Sequence, residues 1–412
     1  MPRLFPQQFI VVLCMGFLGV TLTAQEPTTP YTSVTEARLE SPDPTDWLMY
    51  RGSYDSWGYS PLDQITTSNV ADLVPVWSLS TGVVSGHESP PIVNDGIMFV
   101  TTPEDQVIAV DARTGDQLWR YRRQFPEDMS HPHRTNRGVG LYGDKVYYTT
   151  HDAFVVALDA RTGEVAWETA VADYRTGYYM TMAPLVADGK IMVGASGGER
   201  GIRGFVAAYD PSSGQEVWRT HTIPGPGEPG NDTWPGDSWQ TGGASIWVTG
   251  SYDPELNLTY WGVGNPGPDF FREQRPGDNL YTNSVVALDT DTGELRWHFQ
   301  FTPADLYDFD AVQIPVLADI ERNNTNFKVM LWANRNGFYY VLNRETGRFL
   351  SGQPFVEVNW AEGLDDSGRP IETPQPPGAP TYPGIQGGHS SHKKTILLDQ
   401  YVHGVAISDL FP

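Results

Sequence analysis

"VIAVDARTGDQLW" (107–119) decides the fold, because it recurs as VVALDARTGEVAW (155–167), VAAYDPSSGQEVW (206–218) and VVALDTDTGELRW (285–297), with a weaker copy in YYVLNRETGRFL (339–350). In each of the four full copies alternating apolar residues predict a strand, and an Asp followed by T/S-G predicts a tight turn in which Gly takes a positive φ. The next strand carries a Trp. The copies recur at roughly 50 residues, apart from one long insertion between the third and fourth, and that period implies propeller blades or solenoid coils. A hairpin of this kind cannot bury its own faces. Stacking on neighbouring sheets around an axis would bury them, with Trp119, Trp167, Trp218 and Trp297 wedged between blades. The expectation is an all-β chain, a β-propeller of four-stranded blades. No second folding unit is visible: residues 25–45 read as a polar linker, and TTSNVADL (66–73) as one short capped helix.

Bulk properties agree. The 412 residues are 39% hydrophobic and 12% aromatic, with 42 Gly and 33 Pro, which suits a large core built from many strands and turns. A formal net charge of −23 repels phosphate backbones and anionic lipid surfaces; it argues against nucleic-acid or membrane-surface partners and favours solubility. Residues 1–24 form a secretory signal pattern: one Arg, an apolar run from Phe9 to Leu22, then small and polar residues around Ala24. The run is too short for a membrane span, so no stable membrane insertion is expected, and the location implied is the periplasm. Cys14, the single cysteine, lies inside this segment. A mature chain would therefore lack a disulfide, a thiolate metal site and a C-x-x-C-H haem motif.

Chemistry concentrates elsewhere. TPADLYDFDAVQ (302–313) sets Asp305, Asp308 and Asp310 among apolar and aromatic residues. On a strand, Asp308 and Asp310 would share a face and Asp305 would oppose them, supporting the turn from behind. Two carboxylates so close repel, and a bound hard cation relieves the repulsion if other oxygens join it. Glu199 follows Gly197 and Gly198 after the apolar strand KIMVGAS, where glycines let backbone approach a planar ligand. Asn265, in YWGVGNPGP, ends a strand against Pro266 with an amide oxygen to offer. Arg137 and Arg335 are isolated arginines in apolar β runs and need an anion.

Together with WLMYRGSYDSWGYSPLDQI (47–65), GGERGIRG (197–204) and GVGNPGP (262–268), these segments resemble the pyrroloquinoline quinone (PQQ) dependent alcohol dehydrogenases, eight-bladed propellers of the bacterial periplasm. The likeness covers residues 46–388, about six blades' worth of chain. It implies that Glu199, Asn265 and Asp308 hold a metal ion, with Asp310 as an extra ligand that suits a lanthanide better than Ca2+. Trp247 would stack on the quinone, while Glu88, Arg137, Thr181, Ser196, Gly197, Gly198 and Arg335 would contact it. The reaction implied is oxidation of an alcohol to an aldehyde or ketone, with Asp308 as general base and Arg335 polarising the quinone. Small primary alcohols are the first expectation for substrate, and sugars or polyols the second. A periplasmic cytochrome c or another external acceptor would take the electrons. The family's adjacent-cysteine pair is replaced near His131 and Pro132.

After residue 388 the likeness stops, and 389–412 reads as a divergent tail. His389 and His392 stand there in H-x-x-H spacing and are expected to be unstructured. The chain thus reads as an incomplete propeller with open edges and poor stability, and the activity of this form is left open. A second reading is a non-catalytic PQQ-repeat scaffold, such as the lipoproteins of outer-membrane assembly; Glu199, Asn265 and Asp308 argue for the enzyme, because a scaffold has no use for convergent metal ligands.

Overall fold

A computed structural model describes residues 31–84, 86–129, 133–322 and 324–373. Residues 1–30 with Cys14, the His131-Pro132 step and residues 374–412 with His389 and His392 lie outside these residues. The described residues form sheets in strict chain order. The first contains β1 (Ile92–Asn94), β2 (Ile97–Thr102), β3 (Gln106–Asp111) and β4 (Gln117–Arg122). The second contains β5 (Gly140–Tyr142), β6 (Lys145–Thr149), β7 (Phe154–Asp159) and β8 (Val165–Ala170), and the third β9 (Leu185–Ala187), β10 (Lys190–Gly194), β11 (Phe205–Tyr209) and β12 (Glu216–His221). The fourth is built from β13 (Ser251–Asp253), β14 (Leu258–Gly262), β15 (Ser284–Asp289) and β16 (Leu295–Gln300), and the fifth from β17 (Val316–Arg322), β18 (Thr325–Ala333), β19 (Phe338–Asn343) and β20 (Phe349–Pro354). A two-stranded hairpin, β21 (Ala361–Leu364) and β22 (Pro370–Glu372), follows. Each four-stranded sheet is an antiparallel meander, so the all-β propeller reading holds.

The repeat occupies the third and fourth strands of each sheet, and its residues explain how sheets join. Asp159 Oδ1 accepts the backbone N–H of Arg161 and Thr162, both at 2.9 Å, and closes the turn. Gly163 takes φ +74°, and a Cβ there would stand 2.5 Å from the ring of Trp119, on the preceding sheet. The indole of Trp119 donates to the carbonyl of Ala160 at 3.0 Å. The same clasp repeats from Trp77 to Ala112 (3.0 Å), from Trp167 to Pro211 (3.0 Å) and from Trp218 to Thr290 (3.1 Å). In the weak fifth copy the corresponding carbonyl, Arg344 O, is taken by the Tyr260 hydroxyl at 3.0 Å, and Trp297 Nε1 is buried without a partner.

Two expectations are corrected. Within the presumed linker, residues 31–45 pack: Tyr31, Val34 and Leu39 are buried, and Glu36–Glu40 forms helix α1. Together with the stretch up to Trp57, this segment crosses the first strands of successive sheets. Trp47 pairs with Val93, Val34 with Gly143, the Glu36 carboxylate with the Gly189 N–H at 3.1 Å, the Tyr54 ring with Tyr252 at 5.0 Å, and Asp55 O with Leu317 N at 3.0 Å. Widely spaced apolar residues suffice for such a strap, and polar composition hid it. The second correction concerns 66–73, where only a 3-10 turn forms, Val70–Asp72. The Asn69 side chain accepts from the Thr66 N–H at 2.7 Å instead of capping, and the apolar residues Val70 and Leu73 are exposed, so no packing supports a longer helix.

The meander has a consequence for function. The start of the first strand and the turn between the second and third lie at one end of every sheet, and the D-x-x-T-G turns lie at the other. Arg137, Thr181, Trp247, Asp308 and Asp310 precede first strands. Glu199, Asn265 and Arg335 sit in connections between second and third strands. Topology therefore gathers residues from across the sequence at a single end.

Candidate active site

Residues 302–313 are not a strand, contrary to the alternation expected of them. Asp308 and Asp310 adopt left-handed backbone, φ 59° and 55°. The reason is Asp305: its buried carboxylate accepts the N–H of Tyr307 and of Phe309, each at 2.9 Å, and the Asn283 amide at 3.1 Å. Those local bonds occupy donors that a ladder would have used. Asp305 does support the turn from behind, and its carbonyl accepts from the buried Arg275 guanidinium.

Asp308 and Asp310 come together even so. Burial first, then the charge of Asp310, pushes the Asp308 carboxyl up to about 8, against the pull of Arg335. Burial also raises Asp310, and Arg335 opposes it. Asp310 Oδ2 accepts from Arg335 at 2.7 Å, Oδ1 accepts the Asn265 N–H at 2.9 Å, and the Trp247 side chain adds a third hydrogen bond. Arg335 thus has the anion its surroundings demanded.

Glu199 lies in a 3-10 turn, Gly198–Arg200, entered through Gly197 at φ +113°. A Cβ on Gly197 would meet Gly177 O at 2.4 Å, so only glycine permits this approach. The Tyr179 hydroxyl donates to Glu199 Oε1 at 3.0 Å. The Asn265 amide donates from Nδ2 to Asp269 Oδ1 at 2.7 Å, while its Oδ1 is turned toward Gly198, 3.8 Å from where a Cβ on that glycine would stand. Glu199 and Asp310 both act on Asp269 through space, and Asp269 acts on Asp308. Sequence reasoning missed Asp269 and Tyr179, because an aspartate in Pro-Gly-Pro-Asp reads as a turn residue and a Tyr before a strand as core.

A second cluster adjoins the first. The Arg137 guanidinium lies over the Trp247 ring, 4.8 Å from its centroid, and reaches Glu88 at 2.7 Å and the Thr181 hydroxyl at 2.6 Å. Thr181 and Ser196 share a hydrogen bond at 3.1 Å. Beside them His133 stacks on Tyr179 at 6.0 Å, and His151 lies parallel to the same ring at 6.5 Å.

The family model described as "PQQ: Glucose/ethanol/alcohol dehydrogenase, beta-propeller domain" matches residues 47–376. The chain belongs to the PQQ dehydrogenase propeller family. Among PQQ relatives, the quinoprotein alcohol dehydrogenase PedH of Pseudomonas putida is 44% identical over 344 residues, covering 78% of this chain and 58% of the relative. The 1-butanol dehydrogenase (cytochrome c) of Thauera butanivorans is 42% identical over 355 residues, covering 80% and 50% respectively. A solved europium-containing methanol dehydrogenase superposes with a TM-score of 0.78 at 37% identity, covering 82% of this chain and 63% of that one. The chain thus spans 50% to 58% of the length of these two curated relatives.

The residues present suit a hard cation and a flat tricarboxylate quinone. Glu199, Asn265, Asp308 and Asp310 offer only oxygen donors, and burial with the Asp310 charge raises Asp308 even though Arg335 pairs with Asp310, an excess of negative charge that a cation would relieve. No three His, Cys, Asp or Glu side chains among the described residues are already grouped as a metal cage. The donors share one region without closing on a point. For PQQ, Trp247 would offer the ring face not covered by Arg137, and Arg137, Thr181 and Ser196 would offer partners for carboxylates.

Proposed function

We propose that this chain is the PQQ- and cation-binding part of a dehydrogenase that oxidises an alcohol to an aldehyde or ketone. The observation that carries the reading is the half-buried Asp308 beside the buried Asp310, with Arg335, Asn265 and Trp247 converging on Asp310 from three other segments. Glu199, Asn265, Asp308 and Asp310 would hold the ion. Trp247 would stack on PQQ, with Glu88, Arg137, Thr181, Ser196, Gly197, Gly198 and Arg335 around it. Bound PQQ supplies the hydride acceptor, and the ion the positive charge that makes a quinone carbonyl electrophilic.

Within that frame Asp308 accepts the proton of the substrate hydroxyl as the hydride leaves carbon. A positive charge beside Asp308 favours its carboxylate, the form a general base requires. Arg335 holds Asp310 and presents a guanidinium to developing negative charge. A third carboxylate in the ligand set favours a trivalent lanthanide over Ca2+, in keeping with the europium-containing neighbour. Small primary alcohols are the proposed substrates, ahead of sugars and polyols. The acceptor is a cytochrome c, a partner named for the butanol-oxidising relative, and the location is the periplasm, reached through the signal segment at residues 1–24. No helix among the described residues is long and apolar enough to cross a membrane.

The test is dialysis of the chain against PQQ with Ca2+ or La3+, followed by dye-linked turnover over a panel of alcohols. Uptake of both ligands and reduction of the dye by alcohols are expected. If neither PQQ nor cation is retained in excess of both, the assignment fails.

A further inference from the structure

Asn265 is held on several sides. Its N–H donates to Asp310 at 2.9 Å, its carbonyl accepts the Ala244 N–H at 3.1 Å, and a Cβ on Gly243 would already touch that carbonyl at 2.9 Å. These contacts fix its backbone, and for the side chain the two ends of the amide are not equivalent: oxygen ligates a hard cation, and NH2 does not. Asp269, four residues on in the connection between β14 and β15, has no part in the mechanism above. Its Oδ1 receives the Asn265 Nδ2 hydrogen at 2.7 Å. A carboxylate oxygen accepts and does not donate, so the flipped amide would set oxygen against oxygen.

We propose that Asp269 is a positioning residue: it holds the nitrogen end of the Asn265 amide, and so presents Asn265 Oδ1 on the Gly198–Glu199 side as the neutral oxygen donor to the cation. The inference rests on the reading of Asn265 as a cation ligand. It explains why a further acid is tolerated where burial, Asp310 and Glu199 all oppose its charge. A partner that orients a ligand in this way typically sets cation affinity by about tenfold or more.

The test uses the full chain with PQQ, Tb3+ luminescence for affinity and Eu3+ emission lifetimes in H2O and D2O for water bound to the ion. Asp269→Leu removes the acceptor at similar volume, whereas Asp269→Asn keeps an amide oxygen that accepts the same hydrogen and deletes the charge. Asp269→Leu should bind Tb3+ about tenfold more weakly and leave about one additional water on Eu3+. Asp269→Asn should remain within roughly threefold of the parent with an unchanged lifetime. Should Asp269→Leu fail to match the parent's thermal midpoint, Asp269→Ala carries the same expectation. Parental affinity and lifetime in the acceptor-less variant overturn the proposal; so does an equal loss in Asp269→Asn, which would make charge the cause. A parent chain that binds neither PQQ nor Tb3+ instead removes the functional reading on which it stands.

Discussion

At Asp310 a guanidinium, a main-chain N–H and an indole side chain meet one buried carboxylate, and Asp308 stands close enough for the Asp310 charge to raise it. This pair was legible in the sequence as acid out of place among apolar residues. Its geometry was not, because two left-handed residues and the inward bonds of Asp305 replace the strand on which the alternation argument relied. Asp308→Asn should lower dye-linked turnover by at least about 100-fold while PQQ uptake, read from quinone absorbance, persists. Asp310→Ala should reduce the preference for La3+ over Ca2+ by about tenfold in competitive binding; a constant ratio removes Asp310 from the choice of metal.

The turn-and-tryptophan clasp is the element that sequence resolves best, since each part has one physical job. Asp159 closes the turn, Gly163 takes the positive φ, and the missing Cβ at Gly163 makes room for Trp119 from the neighbouring sheet. Gly163→Ala should combine left-handed strain with overpacking and destabilise by about 2–4 kcal/mol, seen as a lower thermal midpoint by circular dichroism. The equivalent change at Gly143, where a Cβ would meet nothing within 4 Å, should cost only the strain of its φ, about 1–2 kcal/mol. If both variants melt alike, the clasp is not what joins the sheets.

Between whole sheets, buried polar links add to these clasps. The second-to-third-strand turns of the first and second sheets meet through Asp105 and His151, whose side chains are both fully buried. His151 Nδ1 lies 2.9 Å from Asp105 and Nε2 2.5 Å from the His133 carbonyl, so both nitrogens face acceptors, an arrangement that the imidazolium satisfies in full. Burial works against that charge, but Asp105 and the carbonyl outweigh it and raise the His151 pKa. A raised folded-state value means that this link stabilises fully below the unfolded pKa, about 6.5, and fades as pH climbs through the folded one. The thermal midpoint of the parent should therefore fall toward that of His151→Gln between pH 6 and 9. A gap between the two that is constant with pH would show the imidazole to be neutral throughout.

The repeat and the turn chemistry could be read from residue order, because they depend on neighbours within a dozen residues and on a few distinctive side chains, whereas the ligand was implied only by resemblance across separated motifs. Tertiary structure alone decided that Glu199, Asn265, Asp308 and Arg335 lie at the same end of their sheets, since only the antiparallel order of strands brings first-strand entries and second-to-third turns to one end. It also decided that residues 31–45 pack against the sheets and that Asp269 faces Asn265. Both rest on contacts across long sequence separations, and no local pattern of charge or hydrophobicity encodes which distant surface a turn will meet.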